Sequence, residues 1–385
     1  MVQTLRSPSG LISDAIRLRS SRPIALSPKN QSELHDRLVC REELSALRDR
    51  HGRAVRDARK NYELPEVDEM LAITLGEPSS PWPNNCHAAV CLTHDVDRGP
   101  GRYNCLARDL WYSVKWVGAK LRADRQKVAS VDRYFSLRRS RIDPYDNLVR
   151  WMELENDLGV RSTFYFMSLA ARHLLQEGNR YVVSNPAVRH AIREMHCNGW
   201  EVGLHARYHA PFSKRELMDQ KRRLSDILGD EVAGVRNHYL RVRFPDTWFL
   251  ETECNFHHSS NMGWADTLGG FRSGTCWPYQ PVVGSKLWEI PFQIMDSPDL
   301  SKNAESFLGR FKGYLEQVKR HRGVLVLDFH SNYFFEEVAP QVNRVYRTIV
   351  GHLRSDPELW ITTPQNVIQR LNVTLASKHN GYQFS

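Results

Sequence analysis

Residues 88–97, Ala-Ala-Val-Cys-Leu-Thr-His-Asp-Val-Asp, decide how the rest of the chain is read. Six residues with no charge (AAVCLT, 88–93) run straight into a histidine and two acids. A run apolar on both faces fits a strand covered on both sides, as in a parallel sheet. Working outward, similar short runs follow: STFYFM (162–167), EVGLH (201–205), VAGVR (232–236), LWEIP (287–291), GVLVLDFH (323–330) and LWITT (359–363), with FHHSS (256–260) as a weaker eighth. Helical stretches fill the gaps between them. Asp143-Pro144 and Asn185-Pro186 read as helix starts, with a capping residue before a proline. Ser213-Lys-Arg-Glu216 reads as a capping box, and Val188, Ile192 and Met195 form one apolar stripe. Repeated strand–helix alternation means a parallel sheet, either a barrel or an open doubly wound sheet. No GxGxxG or Walker-type loop follows the first strand, which lowers the nucleotide-binding version.

Titratable residues collect where the strands run out. The first run ends in Thr93-His94-Asp95-Val96-Asp97, the third in His205-Ala-Arg-Tyr-His209, the fourth in Arg236-Asn-His-Tyr239, and a late one at His330. In a parallel barrel those ends converge on one face, where catalytic groups sit. Asp97, His205 and His209 would make a three-ligand metal site with open positions for water and substrate. Position 206 is Ala, so the HExxH zinc-protease pattern is absent. Two carboxylates two residues apart can divide the labour, one binding the metal and one taking a proton from water.

These residues resemble the polysaccharide deacetylases, the NodB-homology carbohydrate esterases, over about residues 86–370, in the subgroup whose first motif is HDVD. The resemblance implies an α/β fold, a distorted (β/α) barrel of about seven parallel strands. It implies Asp95 as catalytic base and Asp97, His205 and His209 as metal ligands, with the order of base and ligand at 95 and 97 left open. It further implies Arg236 holding the base, the Tyr239 backbone N–H at the oxyanion, and His330 as general acid. Asp296 matches the fourth motif, through Ile290-Pro-Phe-Gln-Ile-Met-Asp296. Pro81-Trp-Pro-Asn84 and Gly270-Phe-Arg-Ser-Gly-Thr275 match segments that accompany HDVD. The expected cofactor is a divalent cation, zinc first, with cobalt, nickel or iron as alternatives. The expected reaction is removal of an N- or O-acetyl group from a carbohydrate, polysaccharide or glycolipid. Two rivals stand beside it. A non-catalytic glycan-binding barrel is opposed by the retained acids, ligands, Arg236 and His330. A two-His-one-carboxylate iron oxygenase uses the same ligand types, but with ligands ordered differently and on a jelly roll.

Among the remaining polar residues, His94 reads as a packing or supporting group, and Arg272 as either an anion or sugar contact or a structural pair. Trp264, Trp277 and Tyr279 read as core before sugar platform, and His257 and His258 have no evident partner.

The rest of the sequence bounds this reading. Hydrophobic residues at 41% and charged ones at 25% are ordinary for a globular protein. Residues 1–80 read as a polar, helical, basic extension, GEPSSPWPNN (76–85) as a linker, and 81–385 as the catalytic barrel. The seven cysteines are odd in number and contain no CxxC pair, so free thiols are expected. The N-terminus shows no signal-like apolar stretch, giving a cytoplasmic expectation. The net charge of +9 is concentrated: residues 98–141 hold 12 Lys/Arg against 3 Asp/Glu. No nucleic-acid motif accompanies it. Within that stretch, Leu106, Leu110, Val114 and Val117 share one side of a helix with Trp111 and Trp116 nearby. Such a helix either packs on the barrel or lies peripherally on an anionic inner membrane face, near a lipid-linked sugar.

Overall fold

The computed structural model describes residues 18–19, 48–57, 60–76, 78–99, 102–143, 145–169, 181–282, 284–297, 300 and 303–381. Nine strands form a single sheet: β1 (Ala88–Val96), β2 (Thr163–Phe166), β3 (Glu201–Ala206), β4 (Gly234–Asn237), β5 (His258–Ser259), β6 (Trp288–Glu289), β7 (Ile294–Met295), β8 (Val324–Asp328) and β9 (Leu359–Thr362). Each of the eight apolar runs supplies one strand. The ninth, β7, comes from the segment matched to the fourth motif, so the count exceeds the expected seven. The strand order is β6-β5-β4-β3-β2-β1-β8-β7, with β9 beside β1. Every pair is parallel. All nine residues of β1 are buried, which explains its unbroken apolar start.

The sheet curls into a distorted barrel. Its two end strands, β6 and β7, are joined by residues 290–293, which cross the seam through single backbone bonds. Ile290 N–H donates to Ser259 O (2.8 Å), Phe292 N–H to Met262 O (3.2 Å) and Gln293 N–H to Val326 O (3.1 Å). The register sets the site: Thr93 lies between Thr163 and Asp328, His205 opposite Arg236, and Met295 opposite Asp328.

Helices surround the sheet: α1 (Glu66–Leu75), α2 (Arg102–Leu121), α3 (Arg125–Arg139), α4 (Leu148–Asp157), α5 (Pro186–Cys197), α6 (Lys214–Leu228), α7 (Asp246–Glu253), α8 (Ala304–Arg320), α9 (Val342–Arg354) and α10 (Pro364–Gly381). Asn185 caps α5 by accepting from Ala187 N, and Val188, Ile192 and Met195 face the core with Ala191. Ser213 caps α6 by accepting from Glu216 N (3.3 Å). Asp143 does not start a helix. Its carboxylate accepts from Tyr145 N (3.1 Å), and α4 begins at Leu148. An Asp side chain closing onto the backbone two residues on makes a turn in competition with helix initiation.

Most of the extension expected to be helical, 1–17 and 20–47, lies outside the described residues. Of the described part, 48–54 is a tight turn bridged at Arg48 and Ala54, while α1 is helical. Val67 and Leu71 of α1 and Trp82 of the proline-rich segment belong to the same hydrophobic cluster as the strands. Trp82 Nε1 donates to Arg322 O (2.9 Å). The GFRSGT segment is the seat of α1. Gly274 O accepts from Val67 N (2.8 Å). Asp68 accepts from Thr275 Oγ1 (2.6 Å) and Cys276 N (2.8 Å) and pairs with Arg19. A side chain at Gly270 (φ +111°) would place its Cβ 2.4 Å from Tyr62 O, so the close approach needs glycine. Cys86, Cys91, Cys197, Cys254 and Cys276 are free thiols; the side chains of Cys40 and Cys105 lie outside the described residues.

Candidate active site

The C-terminal ends of β1, β3, β4 and β8 carry the titratable residues to one place. Just past β1, Asp97 Oδ1 lies 3.3 Å from His205 Nε2 on β3 and 3.5 Å from His238 Nε2 after β4. These three residues offer ligand atoms all within 4.8 Å of one another. His205 Nδ1 donates to Arg236 O (3.1 Å), which turns Nε2 inward. Against the effect of burial, Asp95 and Asp97 favour a proton on the ring, so Nε2 offers a lone pair once that proton has left. Asp97 Oδ1 and His205 Nε2 are buried and make no hydrogen bond. Buried polar atoms are almost always paired, so a converging pair left unsatisfied fits a cation between them. One carboxylate with two imidazoles is a donor set suited to zinc and other first-row divalent ions. Burial pushes the His238 imidazole down to about 3, so it is a neutral lone-pair donor. Burial acts to raise the Asp97 carboxyl, but His238, His205 and His330 hold it well below its usual range.

Beside this cluster stands an arginine-centred network in which nearly every donor is used. Arg236 is fully buried. Its Nη1 donates to Thr93 Oγ1 (2.8 Å), Asp95 Oδ1 (3.2 Å) and Asp328 Oδ1 (2.8 Å), its Nε to Ser260 O (3.1 Å) and its Nη2 to Ser260 Oγ (3.0 Å). Tyr165 packs against the guanidinium at 4.6 Å. Asp95 Oδ2 points the other way, 3.7 Å from His205 Nε2. Burial acts to raise the Asp95 carboxyl, but His205, Arg236 and His330 outweigh it and keep Asp95 ionised. Asp328 absorbs the conflict: burial and the Asp95 charge lift it to about 7.

At the third corner, His330 Nδ1 meets Asp296 Oδ1 at 2.6 Å, and its backbone N–H donates to Asp296 Oδ2 (3.0 Å). With both oxygens accepting, Asp296 is a carboxylate and the His330 Nδ1 carries the proton between them. Burial acts to lower the His330 imidazole, but Asp296 and then Asp97 hold it well above the ordinary histidine range. Its Nε2 faces Asp97 Oδ2 at 3.8 Å. Tyr239 sits at the mouth with φ +59°, a left-handed conformation that turns its backbone inside a single 3-10 turn.

Of the residues expected at the site, Asp95, Asp97, His205, Arg236, Asp296 and His330 come together, with Tyr239 at the rim. His209 does not join them. The chain turns after β3 into a 3-10 helix (Ala210–Phe212), and His209 is exposed with its ring edge-on to Tyr208 at 5.0 Å. The third place in the cluster with Asp97 and His205 is taken by His238 instead. Three residues outside the expected set therefore belong here: His238, Asp328 and His51. The last comes from the N-terminal turn. Its ring stacks on Tyr239 (4.4 Å, 10° between planes), and Arg241 Nε donates to its carbonyl (2.7 Å). Only the strand-end position of His238 and Asp328 signals them in sequence; nothing local signals His51.

The remaining polar candidates are structural. His94 is buried, contacting Phe329 O (2.7 Å) and Glu155 Oε1 (2.7 Å), and so ties β1 to the strand end before His330. Arg272 Nη1 donates to Gly263 O (3.0 Å). Trp264, Trp277 and Tyr279 are buried in the core. His258 Nε2 pairs with Glu201 Oε1 (2.6 Å) beneath the sheet.

No family model and no curated protein matches the chain. Among solved structures, the chain is similar to a protein assigned as a polysaccharide deacetylase from Mycobacterium smegmatis, at 16% identity and TM-score 0.49, over 77% of this chain and 94% of that one. It is also similar to PuuE allantoinase, at 14% identity and TM-score 0.48, over 78% of this chain and 95% of that one. A third, assigned as a polysaccharide deacetylase from Pseudomonas aeruginosa PAO1, is 15% identical with TM-score 0.48, over 78% of this chain and 96% of that one.

Proposed function

We propose that this protein is a metal-dependent deacetylase of the polysaccharide-deacetylase type, hydrolysing an N- or O-acetyl group on a carbohydrate. The observation that carries the reading is the meeting of two buried atoms that make no hydrogen bond, Asp97 Oδ1 and His205 Nε2, beside an ionised Asp95 and a protonated His330. A carboxylate base and an imidazolium acid flanking one open point are what amide hydrolysis needs. Asp97, His205 and His238 would hold the divalent cation, zinc first among the candidates; when bound it would polarise an acyl carbonyl and make a neighbouring water more acidic.

The chain's own residues do the rest. Asp95 Oδ2 takes the water's proton as the water attacks the acyl carbon. Arg236 keeps Asp95 charged and in place. The Tyr239 backbone N–H faces the carbonyl oxygen as it becomes an oxyanion; such a donor is commonly worth about 3 kcal/mol. His330 Nε2 gives its proton to the departing amine, and Asp296 keeps that proton available until then. The carbon–nitrogen bond of an N-acetyl group is the bond in which a protonated leaving group matters most, which favours amide over ester. A lipid-linked sugar handled on the cytoplasmic side is the version of the substrate that fits the basic stretch 98–141.

The test is an acetate-release screen over N-acetylated glycans and lipid-linked sugars, using chelated protein into which single metals are titrated. Release that appears with metal and vanishes in Asp95→Asn supports the reading. Tight metal binding with no release from any acylated sugar would leave a glycan-binding barrel in its place.

A further inference from the structure

We propose that α2 is a docking helix for an anionic membrane surface. The inference rests on the two faces of α2, whose polarity runs opposite to that of an ordinary surface helix.

The face packed on α3 is the more polar one. Tyr112 stacks on Tyr134 (3.9 Å), Trp116 Nε1 donates to Asp132 Oδ1 (3.0 Å), and Asp109 accepts from Tyr134 OH (2.7 Å) and Arg138 Nε (3.2 Å). Ala119 is the buried residue on that side. The outward face is aliphatic. Leu110, Val114, Val117 and Leu121 are 68%, 64%, 51% and 83% exposed. At about 100° per residue those four fall within roughly 60° of arc, on the side away from Tyr112 and Ala119. With Trp111 they make five of the thirteen large hydrophobic side chains exposed among the described residues, all on one helix. The side chain of Leu106, expected on the same stripe, lies outside the described residues.

Charge selects the occupant. Lys115, Lys120 and Arg122 are exposed beside the stripe, and none has a carboxylate partner among the described residues. Lys115 Nζ lies over the Trp111 ring at 3.5 Å, and Lys120 Nζ over Trp116 at 5.0 Å. Apolar side chains on one line, a tryptophan (Trp111) at the edge and lysines able to reach outward are the composition of a helix lying in a membrane interface. A surplus of 12 Lys/Arg over 3 Asp/Glu in residues 98–141 calls for anionic headgroups. No helix among the described residues is long and apolar enough to cross a membrane, so the contact is one of lying on the surface.

The helix is also joined to the site. Arg98, next to the ligand Asp97, donates to Tyr145 OH (2.8 Å), and Tyr145 OH meets Tyr112 OH of α2 (3.0 Å). That link runs through Tyr112, on the side of α2 opposite the stripe, so the bilayer contact is made by the outer face of the helix. Membrane docking itself does not depend on the deacetylase reading, because it is read without any turnover.

The experiment is co-sedimentation of the full chain with vesicles of phosphatidylcholine, alone or with a third phosphatidylglycerol. Wild type should bind the anionic vesicles about tenfold or more tightly than the neutral ones, with the difference shrinking at high salt. Leu110→Ser combined with Val114→Ser and Val117→Ser should lose at least about tenfold of that binding with a little-changed thermal midpoint, because all three side chains are more than half exposed. Lys115→Glu with Lys120→Glu should remove the anionic preference. The proposal is overturned if wild type ignores anionic vesicles at low salt, or if the serine variant binds as wild type does. It is equally overturned if the stripe instead holds a second copy, seen as a dimer in light scattering that the serine variant dissolves while wild type leaves vesicles alone.

Discussion

The two halves of the site, a few ångströms apart, treat their polar atoms in opposite ways. Around Arg236, each nitrogen of the guanidinium has an acceptor, and Thr93, Asp95, Asp328 and Ser260 are fixed by it. Around Asp97, a buried carboxylate oxygen and a buried imidazole nitrogen of His205 face each other with no hydrogen bond at all. The same sheet builds both, so the contrast is not a matter of local disorder. A saturated network sets positions and fixes a charge; an incomplete one marks where something else belongs. The lesson is that a buried carboxylate is read by what its second oxygen does. Asp95 Oδ1 is tied to arginine while Oδ2 faces the ligand cluster, whereas Asp97 gives both oxygens to imidazoles.

The largest effects should come from the two aspartates, and they test that contrast directly. Asp97→Asn should cost both metal affinity and essentially all turnover. Asp95→Asn should retain close to one metal per chain while losing on the order of 10² to 10⁴ in kcat, the usual worth of a positioned base. Metal content by atomic absorption together with acetate release separates them; metal lost from Asp95→Asn and kept in Asp97→Asn would exchange their roles.

Next in size is the choice of third ligand. His238→Ala should weaken metal binding by about 100-fold or more, by loss of one of three ligands. His209→Ala, at an exposed ring, should change it less than about threefold, within the range of surface substitutions. Titration calorimetry on chelated protein decides, and the opposite ranking would return the site to Asp97, His205 and His209.

The acid corner should respond to pH rather than to metal. A general acid works only while protonated, so activity falls as pH rises through the His330 value, which Asp296 holds high. Asp296→Asn removes that support and should move the alkaline limb of kcat down by about one pH unit or more. His330→Ala should hurt an amide far more than an activated ester, whose leaving group needs no proton. An unmoved limb would make Asp296 a purely structural partner.

The smallest effect expected lies in the scaffold behind β4. Burial, and then Glu289, lift the Glu251 carboxyl to about 8, above its ordinary 4.5. The folded protein therefore keeps a proton that the unfolded chain has released, and stability is lost as pH rises from 4.5 through 8. Glu251 Oε1 accepts from Asn237 (2.9 Å) and Asn261 (3.1 Å), so Glu251→Gln keeps those acceptors and stays neutral. Its thermal midpoint should drop less than wild type between pH 6 and pH 8.5, by about 3 °C or more. Parallel pH dependence in the two proteins would show that Glu251 does not titrate on folding.

What the sequence by itself determined was the set of strands and the acids at their ends. A strand buried on both faces must be an unbroken apolar run, and one that ends at a functional face must turn polar abruptly. AAVCLTHDVD does both within ten residues. The resemblance implied that Arg236 holds Asp95, and strand ends in a parallel barrel fall on one side; that His330 rests on Asp296 is a contact of the folded chain. Ile294–Met295 escaped notice because two residues are too short to show a period. Which imidazole completes the cluster was decided only in three dimensions. His209 has the spacing of a ligand, but the chain turns away after β3 and leaves it in solvent. His238 has no distinctive spacing, yet the first turn after β4 carries it to Asp97. His51, far back in the chain, stacks on Tyr239 only because a tight turn at 48–54 is held there by Arg241. Sequence periodicity records which face of an element is buried. It carries no record of where a loop of three residues turns, and that turn sets which side chains meet.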